Sequence, residues 1–160
     1  MTAQIANGGH KIYPKIILDN NNISEDKFTS LVKHNSNIKI VQDAMFSSTN
    51  EIRGTSYRSR IDDPKYQFAG KTGTAQVKKI TKRDRELDLE TSEIPYEERD
   101  HAIYIAFGPF KNPRYAVSIL VEHGGSGSSV AAPLAKTLFK KIIDRHEIRK
   151  NFELNKYLNI

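Results

Sequence analysis

Apolar and polar positions alternate most regularly in the second half of the chain. From His101 to Pro109, Ala102, Tyr104 and Ala106 share one face and Ile103, Ile105 and Phe107 the other, which is the period of a β-strand. Tyr115 to His123 repeats the pattern, with Val117, Ile119 and Val121 on one face. The short Lys111-Asn112-Pro113-Arg114 connection favours an antiparallel hairpin. Phe68 to Lys79 reads as another long strand of the same core. The period then changes. Val130, Leu134, Leu138 and Ile142 form one stripe of a helix predicted over about Val130 to Arg145, and Ala131, Ala135 and Phe139 widen it. Such a helix packs on a sheet. Pro133 falls in its first turns, where proline is tolerated, and a serine of the preceding loop can cap it. Lys140, Lys141 and Arg145 suit its C-terminal end.

The first half is more polar. Met1 to Gly9 reads as the end of a helix, with Asn7 or Gly8 as the exit residue. His10 to Leu18 is a short extended run in which Pro14 suggests an edge, and Asp19-Asn20-Asn21-Asn22 is a turn. Ile23, Phe28, Leu31 and Val32 form a small apolar set. Ile38, Val41, Ala44 and Met45 predict a helix from about Ile38 to Ile52, ended by Gly54-Thr55-Ser56-Tyr57. Arg58 to Gln67 is a charged loop. These elements predict an α+β fold, an antiparallel sheet with helices packed on it. The domain covers 1–145, with 80–99 as a charged strand-connecting loop and 146–160 as a polar C-terminal tail.

Composition narrows the function classes. A length of 160 residues suits one domain. The net charge of +6 would suit a nucleic acid, but the basic residues are interleaved with acids and no aromatic-basic motif accompanies them. We read a generic basic surface and no nucleic-acid partner. With no cysteine there are no disulfides and no cysteine-rich metal site. No metal and no cofactor is expected. No stretch approaches a membrane span, and Met1 to Gly9 holds no run long enough for a signal peptide.

Candidate chemistry concentrates in Gly70-Lys71-Thr72-Gly73-Thr74-Ala75-Gln76-Val77. Thr72 and Thr74 share a strand face, Lys71 adds a cation beside them, and Gly73 permits close approach. The edge could hold a carboxylate between hydroxyls under a positive charge, or be an ordinary solvated strand. A phosphate loop is excluded, because Lys65 stands where its first glycine is required and a strand-like Gln76-Val77 follows. The loop Gly124 to Ser129 lacks the third glycine of a dinucleotide fingerprint, and Ser128 replaces the last glycine of a nucleophile elbow. It is read as a connection.

Three pieces occur in a telling order: Gly70-Lys71-Thr72-Gly73-Thr74-Ala75-Gln76, then Ala106-Phe107-Gly108-Pro109, then Glu122-His123-Gly124-Gly125-Ser126-Gly127 before an Ala-Ala-Pro helix. With Ala6-Asn7-Gly8-Gly9 in front and Gly54-Thr55 after a helix, the chain from Met1 to about Ile143 resembles the C-terminal part of the transpeptidase domain of class B penicillin-binding proteins, most of all the type acting in cell elongation. The resemblance implies a partial β-lactamase/transpeptidase-like fold, with three of the family's five strands. It implies serine acyl transfer on a peptidoglycan stem peptide, with β-lactams as mimics. In this mapping Lys71 supplies positive potential and bonds the serine of the second family motif. Thr72 and Thr74 bind the substrate or antibiotic carboxylate. Gly73 leaves room for the ligand, and the backbone N–H of Thr74 is half of the oxyanion hole.

The family's other motifs have matches here. Ser24 to Lys27, Ser30 to Lys33 and Ser36 to Lys39 fit Ser-x-x-Lys, and Ser48 to Asn50 fits Ser-x-Asn. In the family both motifs precede the helix end that Ala6-Asn7-Gly8-Gly9 resembles, so these matches are expected to be accidental and the nucleophile absent. The expected partner is the N-terminal remainder of the transpeptidase domain. The alternative is an inactive remnant or interaction module of the same fold. The family works on the periplasmic side of the inner membrane; this chain alone, lacking an anchor, would stay in the cytoplasm unless cut from a longer precursor.

Overall fold

In a computed structural model, the chain is described at residues 1–14, 16, 29–79, 82–87 and 89–158, the side chains of 83–85 and 153–158 aside. Residues 15, 17 and 18 of the expected run at 10–18, the turn at 19–22 and the Ser24–Lys27 match lie outside these residues; the described part of the run forms an isolated bridge between His10 and Ser30. The elements are helices α1 (Thr2–Ala6) and α2 (Asn35–Asn50), strand β1 (Ala69–Ala75), helix α3 (Lys82–Leu87), strands β2 (His101–Gly108) and β3 (Tyr115–Val121), and helix α4 (Ala132–Leu158). The sheet is antiparallel in the order β1-β2-β3, as the alternation and the short hairpin predict. After α1, Gly8 and Gly9 take φ of +85° and +88°, the left-handed conformation that ends the helix.

Several expectations are corrected. β1 ends at Ala75 and does not reach Lys79. α2 begins three residues earlier than Ile38 and stops at Asn50. The 80–99 connection is not all loop, since it contains α3 and a 3₁₀ turn at Tyr96–Glu98. The last helix does not stop at Arg145: α4 continues to Leu158, so the polar stretch from His146 is helical. Its buried stripe is also different. Ala132, Ala135, Phe139 and Ile143 face the sheet, whereas Leu134 and Leu138 are 46% and 40% exposed. Alanines let the helix approach the sheet closely, and the leucines turn outward.

The sheet is covered on both faces. Ala102, Tyr104 and Ala106 of β2 pack with α4 and with Phe68, whose ring stacks on Phe139 at 4.9 Å. On the other face Ala69 and Phe107 pack with Met45, Ile5 and Phe46 of α1 and α2. Among the described residues no strand pairs with the outer edge of β3, where Leu120 is 56% exposed.

One contact joins these layers. Tyr104 is fully buried, and its ring crosses β1 at Gly70, where a Cβ would lie 2.3 Å from the phenol oxygen. The hydroxyl thereby reaches Thr49 of α2 and Ser56, each at 2.9 Å. Burial pushes this phenol above its ordinary pKa, with smaller opposing effects from the Ser56 and Thr49 hydrogen bonds. It therefore stays neutral and able to donate. Tyr104→Phe is expected to cost about 1–2 kcal/mol, because two buried hydroxyls lose their shared partner. A raised pKa means the native state holds the proton longer, so stability is complete below the ordinary tyrosine range near ~10 and is lost above it. Urea titrations at neutral and alkaline pH check both points: the variant should lose stability at neutral pH and lack this part of the alkaline decline.

Candidate functional site

β1 is an edge strand, and its outer edge is where the candidate residues meet their surroundings. The Asn50 amide donates to the carbonyl of Phe68 at 2.9 Å, Thr49 Oγ1 to that of Gly70 at 3.5 Å, and Lys71 Nζ to that of Thr72 at 2.9 Å. These carbonyls all turn away from β2. In an antiparallel strand the N–H and C=O of one residue point to the same side, so the N–H of Thr74 faces that same open edge. This orientation of the Thr74 N–H follows from strand register alone.

The side chains form a line of hydroxyls ending at a cation. Lys71 Nζ lies 3.2 Å from Thr72 Oγ1, which lies 3.3 Å from Thr55 Oγ1, which lies 3.2 Å from Ser48 Oγ. Ser48 and Thr55 are held together by backbone contacts: Ser56 N and Oγ both donate to the Ser48 carbonyl at 3.0 Å. Ser56 is in turn held by Tyr104. Lys71, Thr55 and Ser48 border a cavity of about 610 Å³, with Ile5, Ile40 and Ile105 in its walls and Glu51 and Arg53 also lining it. Lys71 is exposed and Thr72 half-buried. Thr74 is exposed and carries no side-chain hydrogen bond among the described residues.

Gly73 has protein close by. Its Cβ position would lie 3.3 Å from Ile103 Cβ, while a Cβ on Gly127 would meet the Gly73 carbonyl oxygen at 2.6 Å and that of Ile103 at 2.5 Å. The π-helical turn Gly127–Ala131 ahead of α4 thus rests on the backbone of β1 and β2. Its entry is capped as expected, by Ser126 Oγ accepting from Ser129 N at 3.4 Å.

The far end of β1 is closed by the 89–100 segment. Asp100 accepts from Val77 N on its carboxylate at 3.2 Å and from Gly125 N on its carbonyl at 2.8 Å, tying the exits of β1 and β3 together. His123, in the left-handed region at φ 54°, donates its backbone N–H to His101 Nδ1 at 2.9 Å. Asp100 has no role in the sequence reading, and Ser48 enters it only through a Ser-x-Asn match expected to be accidental. The pair Gly54-Thr55 is visible there only as part of an ordered pattern.

The other pattern matches are placed as follows. Ser30 Oγ bonds the Val32 carbonyl at 2.9 Å. Ser36 lies in the first turn of α2, and Lys39 is paired with Asp43 at 2.7 Å. Asn50 spends its amide on two carbonyls, those of Phe46 and Phe68. Among the described residues no cluster of three or more His, Cys, Asp or Glu could hold a metal, and no helix is long and apolar enough to cross a membrane.

The profile of the penicillin-binding protein transpeptidase domain matches residues 1–142. The chain belongs to this family, as part of a class B domain of the PBP2 type. It is 34% identical over 105 residues to the peptidoglycan D,D-transpeptidase MrdA of Salmonella typhimurium, covering 66% of this chain and 16% of that protein. The corresponding Haemophilus influenzae protein is 34% identical over 113 residues, covering 71% and 16%. The chain thus spans about a sixth of the length of these curated relatives. Among solved structures, a complex between the penicillin-binding protein PBP2 and MreC from Helicobacter pylori superposes with a TM-score of 0.70 at 28% identity, over 89% of this chain and 23% of that one. Pseudomonas aeruginosa PBP2 in complex with WCK 5153 gives 0.62 at 34% identity, over 84% and 27%.

Asp100→Ala should speed amide exchange at Val77 by about fivefold, the loss of one hydrogen bond worth about 1 kcal/mol. Gly125 N–H, bonded to the main chain of residue 100, should change less. Exchange followed by NMR distinguishes the two amides.

Proposed function

We propose that this chain supplies the substrate-binding edge of a peptidoglycan D,D-transpeptidase, and that the nucleophilic serine comes from outside these 160 residues. The observation that carries the reading is the open edge of β1, where Lys71 Nζ lies 3.2 Å from the Thr72 hydroxyl and the Thr74 N–H faces the same side by strand register. Family membership makes acyl transfer the reaction to which such an edge belongs.

The chemistry follows from what each group offers. The serine oxygen attacks the carbonyl of the penultimate D-alanine of a stem peptide, and the developing oxyanion accepts a hydrogen bond from Thr74 N–H. The C–N bond breaks and D-alanine leaves with a proton on its amine. The amine of a neighbouring stem peptide then attacks the acyl-enzyme, forming the cross-link and releasing the serine. Lys71 bonds a serine of the incoming segment and raises the local potential for the substrate carboxylate. The Thr72 and Thr74 hydroxyls bind that carboxylate. A β-lactam presents the same carboxylate and carbonyl, but its leaving nitrogen stays tethered, so the acyl-enzyme persists. The partner is the N-terminal remainder of the transpeptidase domain, and the site of action is the periplasmic face of the inner membrane. Thr55 acts as a positioning residue, fixing the Thr72 hydroxyl from behind.

Fluorescent penicillin tests the reading. It is added to this chain alone and to the chain mixed with a polypeptide carrying the Ser-x-x-Lys and Ser-x-Asn segments. The expected result is label on the second polypeptide, and only in the mixture. Lys71→Ala should lower the acylation rate by about 10²-fold, the usual cost of losing one electrostatic contact to the transition state. Label on this chain alone would place a nucleophile within it and overturn the proposal. No label in either case would favour an inactive module.

A further inference from the structure

Helix α4 carries a second apolar stripe, on the side opposite the one that packs on the sheet. Ala132, Ala135, Phe139 and Ile143 are buried, while Leu134, Leu138, Lys141, Arg145, Ile148 and Phe152 are all exposed. Ile148 and Phe152 are 69% and 73% exposed, more than a helix ordinarily shows side by side. The six outward positions are spaced four, three, four, three and four apart. That is the a/d repeat of a coiled-coil seam, running about 27 Å along the helix. The seam is apolar at both ends and cationic in the middle. Its second half lies beyond residue 142, outside the stretch matched by the family profile.

The charges of α4 are sorted by face. Its two acids among the residues up to 152 point back to the domain: Asp144 accepts from the Tyr66 hydroxyl and pairs with Lys65 at 3.6 Å, and Glu147 pairs with Arg114 at 3.9 Å. No acid lies on the seam, and neither Lys141 nor Arg145 has an ion pair among the described residues.

We infer that this seam docks a helix of another protein, one with apolar residues toward its ends and aspartate or glutamate at the two central positions facing Lys141 and Arg145. The pattern disfavours two competitors. A second copy would set Lys141 against Lys141 in a parallel pair, or against Arg145 in an antiparallel one, and like charges at a seam oppose pairing. A lipid surface favours a broad apolar face with basic residues on the polar side. Here the stripe is one residue wide, and its cations sit in the middle.

The test uses the complete 160-residue chain and a fluorescein-labelled, stapled helical peptide of about three heptads, with leucine at the outer seam positions and two glutamates at the centre. The symmetric centre meets Lys141 and Arg145 in either orientation. Fluorescence anisotropy should show saturable binding, at least about tenfold weaker for a peptide with lysine at the centre. The double variant Lys141→Glu/Arg145→Glu should reverse that preference, which also shows that the variant remains folded. Ile148→Ser should weaken both pairings without reversing them. Failure of the acidic peptide to bind the unaltered chain overturns the inference, as does an unaltered preference in the double variant. Sedimentation as a dimer that Ile148→Ser dissolves, or flotation with phosphatidylglycerol vesicles that the double variant loses, would assign the seam to self-association or to lipid instead.

Discussion

The reach of one side chain across β1 organises the structure. Tyr104 belongs to the layer between the sheet and α4, yet its hydroxyl ends among residues of α2 and the turn after it. The passage exists because residue 70 has no side chain. Thr49, Ser56 and Tyr104 satisfy one another in a place where an unpaired hydroxyl would be costly, so the three are fixed together or not at all. With Ser56 fixed, the Ser48 carbonyl is engaged, and with it the pair Ser48 and Thr55 that faces Thr72. The buried hydroxyls are therefore the foundation of the exposed ones.

The candidate site is then a product of strand register more than of side-chain placement. A strand with one paired edge turns alternate main-chain groups outward, and here these belong to Phe68, just before β1, and to Gly70, Thr72 and Thr74 within it. The first two are covered by α2, the third by the lysine next to it. The fourth meets no protein donor or acceptor among the described contacts. The same strand is both the structural edge that α2 seals and the open candidate edge beyond it.

Much of this was legible in the sequence, and the reasons for the rest are physical. The alternation at 101–109 and 115–123 gave β2 and β3 because half-buried strands must alternate. The last helix was legible as a helix, but not its orientation. Val130, Leu134, Leu138 and Ile142 look like the better stripe by size, yet the alanine-rich side packs on the sheet. A sequence with two apolar stripes does not say which one faces inward. Nor did the charged run after Arg145 announce that the helix continues, since polar helices and polar tails share a composition. Lys71 to Thr74 stood out through an ordered set of short motifs. Thr55 and Ser48 did not, because their significance lies in distances to Thr72 that only the folded chain creates.

Gly70 and Gly127 are both kept small by close neighbours, but the neighbours differ in kind. At 70 the obstacle is the phenol of Tyr104, a side chain that another substitution can shorten. At 127 the obstacle is main-chain oxygen of Gly73 and Ile103, which no change of residue type removes. In a diversified library position 70 can be rescued in combination, and its tolerance is a property of the pair 70/104. Position 127 has no such partner. Its need for glycine is geometric, whatever activity is selected.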